Sequence, residues 1–156
     1  MTARVNPLKY PKVYKAMLGL KEAVEGMLEP ALIHLIKARV SMINGCGYCI
    51  DMHTKDARAT GETEQRLYLL SVRREAPIYS EREQAALAWA EAVTLLKNQE
   101  VADDVYEQAR RAFSEEELVA LTLCVVEING WNRFAIPFRT VPGSYQPAGK
   151  AKTTTA

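Results

Sequence analysis

The sequence predicts an all-α single domain, a helical bundle of about seven helices, and three observations carry that reading. Apolar residues recur at helical spacing in segment after segment, and no stretch sustains the period-two alternation of a strand. The 8 glycines and 7 prolines are few, and they gather at segment boundaries. Two segments, Ser80-Glu81-Arg82-Glu83 and Ser114-Glu115-Glu116-Glu117, have the form of a capping box, a hydroxyl followed three residues later by a carboxylate, which marks a helix start.

Taken in order, Asn6-Pro7 and Pro11 open the chain, and Tyr10 to Met27 places Val13, Met17, Leu20 and Val24 near helical spacing. Pro30 suits the first turn of a second helix, which runs to about Met42 with Leu32, Ile33, Leu35, Ile36 and Val40 on a broad apolar face. Asn44-Gly45 ends it, because both residues tolerate the left-handed conformation found just past a helix end. A third helix is expected from about Cys46 to Thr60, stopped by Gly61. A fourth is expected from Thr63 to Glu75 with Leu67, Leu69, Leu70 and Val72 inward. The first capping box opens a long helix to about Lys97, Asp103 to Phe113 is a sixth, and the second capping box opens a seventh that is apolar from Leu118 to Ile128.

A short echo joins two of these elements. Ile43-Asn44-Gly45-Cys46 recurs as Ile128-Asn129-Gly130-Trp131, which predicts in both places a buried helix, an Asn-Gly break and a new helix. The length of 156 residues suits one domain. Residues 1–139 form that domain, and 140–156 shift to Pro, Gly, Ser, Thr and Lys and are expected to be a flexible tail or an arm laid on a neighbour.

Composition narrows the partners. A net charge of +1 without a basic cluster argues against nucleic acid. No apolar run approaches the ~20 residues of a membrane span. The first residues lack the apolar centre of a secretory signal, so a cytoplasmic location is expected. In a reducing compartment a Cys-x-x-Cys pair points to redox or metal chemistry rather than to a structural bridge.

That pair lies in Asn44-Gly-Cys-Gly-Tyr-Cys-Ile-Asp-Met-His53, which holds two of the 3 cysteines and one of the 2 histidines. At about 100° per residue, Cys46, Cys49 and His53 fall within roughly 60° of one another on one helix face. The unpaired N–H groups of a first helical turn favour a thiolate and lower a thiol pKa from its free value of ~8.5. His53, one turn after Cys49, is placed to take the thiol proton. A peroxide-oxidised Cys49 would be a sulfenic acid that condenses with the neighbouring Cys46 thiol. A second use of the same residues is a zinc site from Cys46, Cys49 and His53, with His34 as the fourth ligand. Cys124, inside Leu121-Thr-Leu-Cys-Val-Val, reads as a small core hydrophobe. Tyr48, Trp89 and Trp131 are candidates for an apolar pocket, although aromatic residues at helical spacing more often fill a core.

Arg39 to Arg58, continuing Gly61-Glu-Thr-Glu-Gln-Arg-Leu67, with Ala85 to Glu91 and the late Ile-Asn-Gly-Trp-Asn-Arg-Phe, resembles the alkylhydroperoxidase D-like branch of the carboxymuconolactone decarboxylase family. The resemblance implies an all-helical homotrimer or homohexamer. It implies a cofactor-free peroxidase that reduces small hydroperoxides and is regenerated by an external dithiol reductant. By that likeness Cys49 attacks peroxide, Cys46 resolves, and His53 relays the proton. The family's decarboxylases lack the cysteine pair. In its peroxidases a glutamate stands twelve residues before the first cysteine, and here that position is His34. An imidazole accepts a proton but offers His53 no negative charge, so a weaker thiolate is expected. Asp56, three residues after His53, either orients that ring or is a helix-surface charge.

Overall fold

The computed structural model describes residues 2–148, and every regular element among them is helical. The order is α1 (Pro11–Val24), α2 (Pro30–Asn44), α3 (Gly47–Ala59), α4 (Glu64–Leu69), α5 (Glu81–Leu95), α6 (Asp103–Ala112) and α7 (Glu115–Phe138), with short 3₁₀ turns at Pro7–Lys9, Leu70–Glu75 and Lys97–Gln99. Helix α2 is central, packing on α3, α5 and α7, while α1 lies on α7 and α6 on α5. The fully buried Leu35, Ile36, Leu87, Leu121 and Ile128 come from α2, α5 and α7, which therefore supply the middle of the core. No helix among the described residues is long and apolar enough to cross a membrane.

Both capping boxes are formed. Ser80 and Ser114 each accept the backbone N–H of the third helical residue, and Glu83 and Glu117 reach back to the serine N–H. Two donors left over at each helix start are thereby satisfied.

Three expectations are corrected. The fourth segment is helical only to Leu69 and continues as 3₁₀ turns with a kink at Val72 (φ −117°, ψ 28°). The kink turns Val72 out to 47% exposure and Arg73 inward to 5%. There the Arg73 guanidinium donates Nε and Nη2 to the two oxygens of Glu91, each at 2.8 Å, while Arg39 Nε donates to Oε1 at 2.8 Å. Burial raises the Glu91 pKa, but the hydrogen bonds from Arg73 and Arg39 outweigh it and hold the carboxyl below its ordinary value.

The second correction concerns the echo. α7 runs unbroken through Asn129-Gly130, so the second copy is not a helix break. Gly130 keeps a helical conformation, and Met17 of α1 crowds it: a Cβ there would stand 2.8 Å from the Met17 methyl. Only Gly45 makes the turn, at φ 72°, ψ 29°. Nothing lies within 4 Å of a Cβ added at Gly45, so Gly45→Ala meets backbone strain alone. The expected cost is about 1–2 kcal/mol, read as a lower midpoint in urea unfolding.

The third concerns the end of the chain. Residues 143–145 are tied to α3 of their own chain: Gly143 N donates to Asp51 Oδ2 at 2.9 Å, Lys55 Nζ donates to the Tyr145 carbonyl at 3.1 Å, and Tyr145 OH donates to Asp56 Oδ1 at 2.7 Å. Residues 149–156, the rest of the expected tail, lie outside the described residues.

Candidate active site

The site is built on the turn from α2 into α3. With Gly45 left-handed, Cys46 N reaches back to the Ser41 carbonyl at 2.9 Å and the chain reverses into α3. Cys46 is the residue capping α3, and its sulfur accepts the Cys49 N–H at 3.4 Å. An asparagine network locks this turn to α7. Asn44 Nδ2 donates to Asn129 Oδ1 at 2.9 Å and to Asn132 Oδ1 at 2.8 Å, and Asn132 Nδ2 donates to Ser41 Oγ at 3.2 Å. The two asparagines of the Asn-Gly echo are thus partners of each other, which explains why both stand at helix positions facing the same junction.

Cys46 and Cys49 are joined as a disulfide, with Cα atoms 5.4 Å apart, and both are 2% exposed. In this disulfide form the two sulfurs are not thiolates, so a zinc site that uses them needs the reduced protein. Cys124 sits fully buried on α7, and burial pushes its thiol up to about 12, so it is a poor nucleophile and behaves as core.

A cavity of about 850 Å³ opens beside the pair. It is enclosed by the N-terminal segment, α1, α2, α3, α7 and the strap 140–145, and Cys49 belongs to its wall while Cys46 stands behind. Most of the wall is apolar, from residues such as Leu18, Leu28, Ile33, Met52 and Phe134. Tyr48 and Trp131 also line it; Trp89 does not, and instead donates Nε1 to Thr122 Oγ1 at 3.0 Å between helices.

The polar end of the cavity gathers His34, His53 and Asp56, whose nearest ligating atoms all lie within 4.8 Å of one another. The two imidazole rings stand 6.5 Å apart, centre to centre. His53 is buried, and neither of its ring nitrogens has a hydrogen-bond partner among the described residues; the same holds for His34 Nδ1. Burial, then the positive charge of Lys37, then His34, push the His53 pKa well below its ordinary value, so the ring is neutral at neutral pH. Burial also lowers that of His34, with Asp56 opposing and Lys37 and Lys21 adding to the shift. Asp56 is therefore not a free helix-surface charge. It faces the cavity, tied to Tyr145.

Sequence reasoning missed three residues here. Lys37 Nζ pairs with Glu127 Oε2 at 2.5 Å, off hydrogen-bond geometry, with side chains only 7% and 3% exposed, and Glu127 Oε1 accepts from Trp131 Nε1 at 3.1 Å. The signal for Glu127 was a lone carboxylate in the apolar run Leu121 to Ile128, which a buried helix keeps only with a partner. Tyr145 lay in the segment expected to be flexible, and no local pattern marks it.

Comparison with known proteins follows the same lines. The model of the carboxymuconolactone decarboxylase family matches residues 11–92. The uncharacterized protein YdfG of Bacillus subtilis (strain 168) is 43% identical over 127 residues, 81% of this chain and 86% of that protein. The crystal structure of ATU0492 from Agrobacterium tumefaciens, a protein of unknown function, superposes with a TM-score of 0.87 at 42% identity, over 92% of this chain and 100% of that one. The alkylhydroperoxidase AhpD core of a peroxidase-related protein from Ralstonia eutropha JMP134 shares the fold, with a TM-score of 0.77 at 20% identity, over 88% of this chain and 74% of that one. With its helical fold, its Cys-x-x-Cys at the head of α3 and these relatives, the chain belongs to the carboxymuconolactone decarboxylase family, in its AhpD-like branch.

Proposed function

We propose that the protein is a thiol-dependent peroxidase that reduces organic hydroperoxides through Cys46 and Cys49. One observation carries the reading: Cys49 alone of the pair lines the cavity, with Cys46 bonded to it from behind and His53 one turn further along α3. In the reduced protein, His53 accepts the Cys49 proton, and the thiolate attacks the distal oxygen of the hydroperoxide. The O–O bond breaks, the alcohol leaves with a proton, and Cys49 becomes a sulfenic acid. The Cys46 thiol then attacks that sulfur, water departs, and the disulfide forms. An external dithiol reduces the disulfide by exchange and is itself oxidised. His34 is the second proton carrier, and its lack of negative charge sets a weaker thiolate than a glutamate would.

The same reading puts the protein in a reducing compartment such as the cytoplasm. Assembly into a trimer or hexamer is proposed with it, supported by the exposed apolar Leu8, Tyr10, Val13 and Tyr14 at the start of the chain.

The test is thiol counting. Reduced protein given one equivalent of cumene hydroperoxide is expected to lose two of its three thiols by mass spectrometry, and Cys46→Ser is expected to accumulate a sulfenic acid at Cys49. Thiols unchanged after peroxide would overturn the proposal. A disulfide that forms but is not recycled by any dithiol would make the protein a redox sensor instead.

A further inference from the structure

We propose that His34, His53 and Asp56 form a binding site for a divalent first-row transition-metal cation at the polar end of the cavity. The donors converge from two helices, His34 from α2 and His53 with Asp56 from α3, and all three lie within 4.8 Å of one another. Around a cation with bonds of ~2.1 Å, neighbouring donors stand about 3 Å apart, so side-chain rotations of about an ångström each close the set.

The second observation is independent of that convergence. His53 is 6% exposed, and both its ring nitrogens lack a partner among the described residues. Leaving a buried polar atom unsatisfied costs roughly 1–3 kcal/mol, and an imidazole carries two such atoms. A bound ion, with water completing its shell, satisfies one ring nitrogen of each histidine. Asp56 is already held in place. Tyr145 OH donates to Oδ1 at 2.7 Å, the kind of outer hydrogen bond that ligating carboxylates keep.

Charge and access agree with this assignment. The two ammonium groups that act on His34 are each paired, Lys37 with Glu127 and Lys21 with Glu25, so Asp56 supplies the net charge seen by the ion. The cavity gives an entry route and room for water ligands. Two imidazoles and one carboxylate select zinc, cobalt, nickel or copper over magnesium and calcium, which prefer all-oxygen shells. No sulfur takes part, so the site exists in the disulfide form. A cation held there takes His53 out of proton transfer to and from Cys49, so metal binding opposes the thiol chemistry. The site itself stands whether or not the protein reduces peroxides.

The test is a Co(II) titration of the oxidised, disulfide-bonded protein, followed by visible absorption and calorimetry. One equivalent is expected to bind, with d–d bands and no sulfur-to-metal charge transfer. Tyr145→Phe is expected to weaken binding ~10–100-fold, as loss of an outer-shell partner does, and Asp56→Asn or His34→Gln to weaken it further. The double variant Cys46→Ser/Cys49→Ser should bind as wild type does. Helicity by circular dichroism shows that each variant is folded, and the wild-type spectrum alone reports whether the donors are nitrogen and oxygen. No binding to the oxidised protein would overturn the proposal. So would a sulfur charge-transfer band, or affinity that survives Asp56→Asn and His34→Gln together. Because the thiol count after peroxide needs no metal, failure here is distinct from failure of the peroxidase reading.

Discussion

Cys49→Ser is expected to lower dithiol-driven consumption of cumene hydroperoxide by at least about 10³-fold, which is about 4 kcal/mol of lost transition-state stabilisation. A hydroxyl at this position is not ionised near neutral pH and cannot carry the sulfenic acid, so the covalent route closes altogether. Cys46→Ser should fail differently. Its Cys49 still lines the cavity and still reacts once with peroxide, so one equivalent is consumed, but no intramolecular thiol remains to form the disulfide. Rapid-mixing kinetics with and without reductant separate the two: a stoichiometric burst for Cys46→Ser, none for Cys49→Ser. A burst of equal size in Cys49→Ser would move the peroxide-attacking role to Cys46. Cys124 offers no substitute, since its thiol is buried on α7 and pushed up to about 12.

The second large effect is on stability. Lys37 and Glu127 form a buried ion pair between α2 and α7, with side chains 7% and 3% exposed. Removing one partner leaves an uncompensated charge where water does not reach. Glu127→Ala is therefore expected to lose about 3–5 kcal/mol, and Lys37→Met a comparable amount. Replacing both at once, as Lys37→Met with Glu127→Leu, should recover most of that loss, because apolar side chains of similar volume pack without a desolvation cost. Urea unfolding of the two single variants and the double variant measures the coupling directly. Losses under about 1 kcal/mol in both single variants would show that the pair is hydrated and of little weight. The pair also bears on the site, since the Lys37 charge helps to hold His53 neutral.

Much of the fold was legible because its signals are local. A capping box is four consecutive residues, and a helix end at Asn44-Gly45 depends on the backbone freedom of one glycine. The expected register of Cys46, Cys49 and His53 rests on helix geometry alone; Cys49 and His53 lie on α3, with Cys46 as the residue that caps it. Where the local signal was wrong, a distant partner decided. Val72 fits an inward helical position by periodicity, yet the chain kinks there so that Arg73 can reach Glu91, 18 residues away. Asn129-Gly130 reads as a break, yet α7 continues, because Asn129 is spoken for by Asn44 and Gly130 lies under Met17.

The sequence by itself determined the helical class and the turn that starts α3, since each rests on local signals, and it singled out Cys46, Cys49 and His53 as candidates from their spacing. Only the tertiary structure decided which cysteine meets the cavity, that His34 and Asp56 stand beside His53, and that Glu127 balances Lys37. It also brought Tyr145 back over α3 to Asp56, 89 positions earlier in the chain. Periodicity describes which face of a helix turns inward. What that face meets depends on how α2, α3 and α7 cross, and that is fixed by packing the whole core rather than by any one segment.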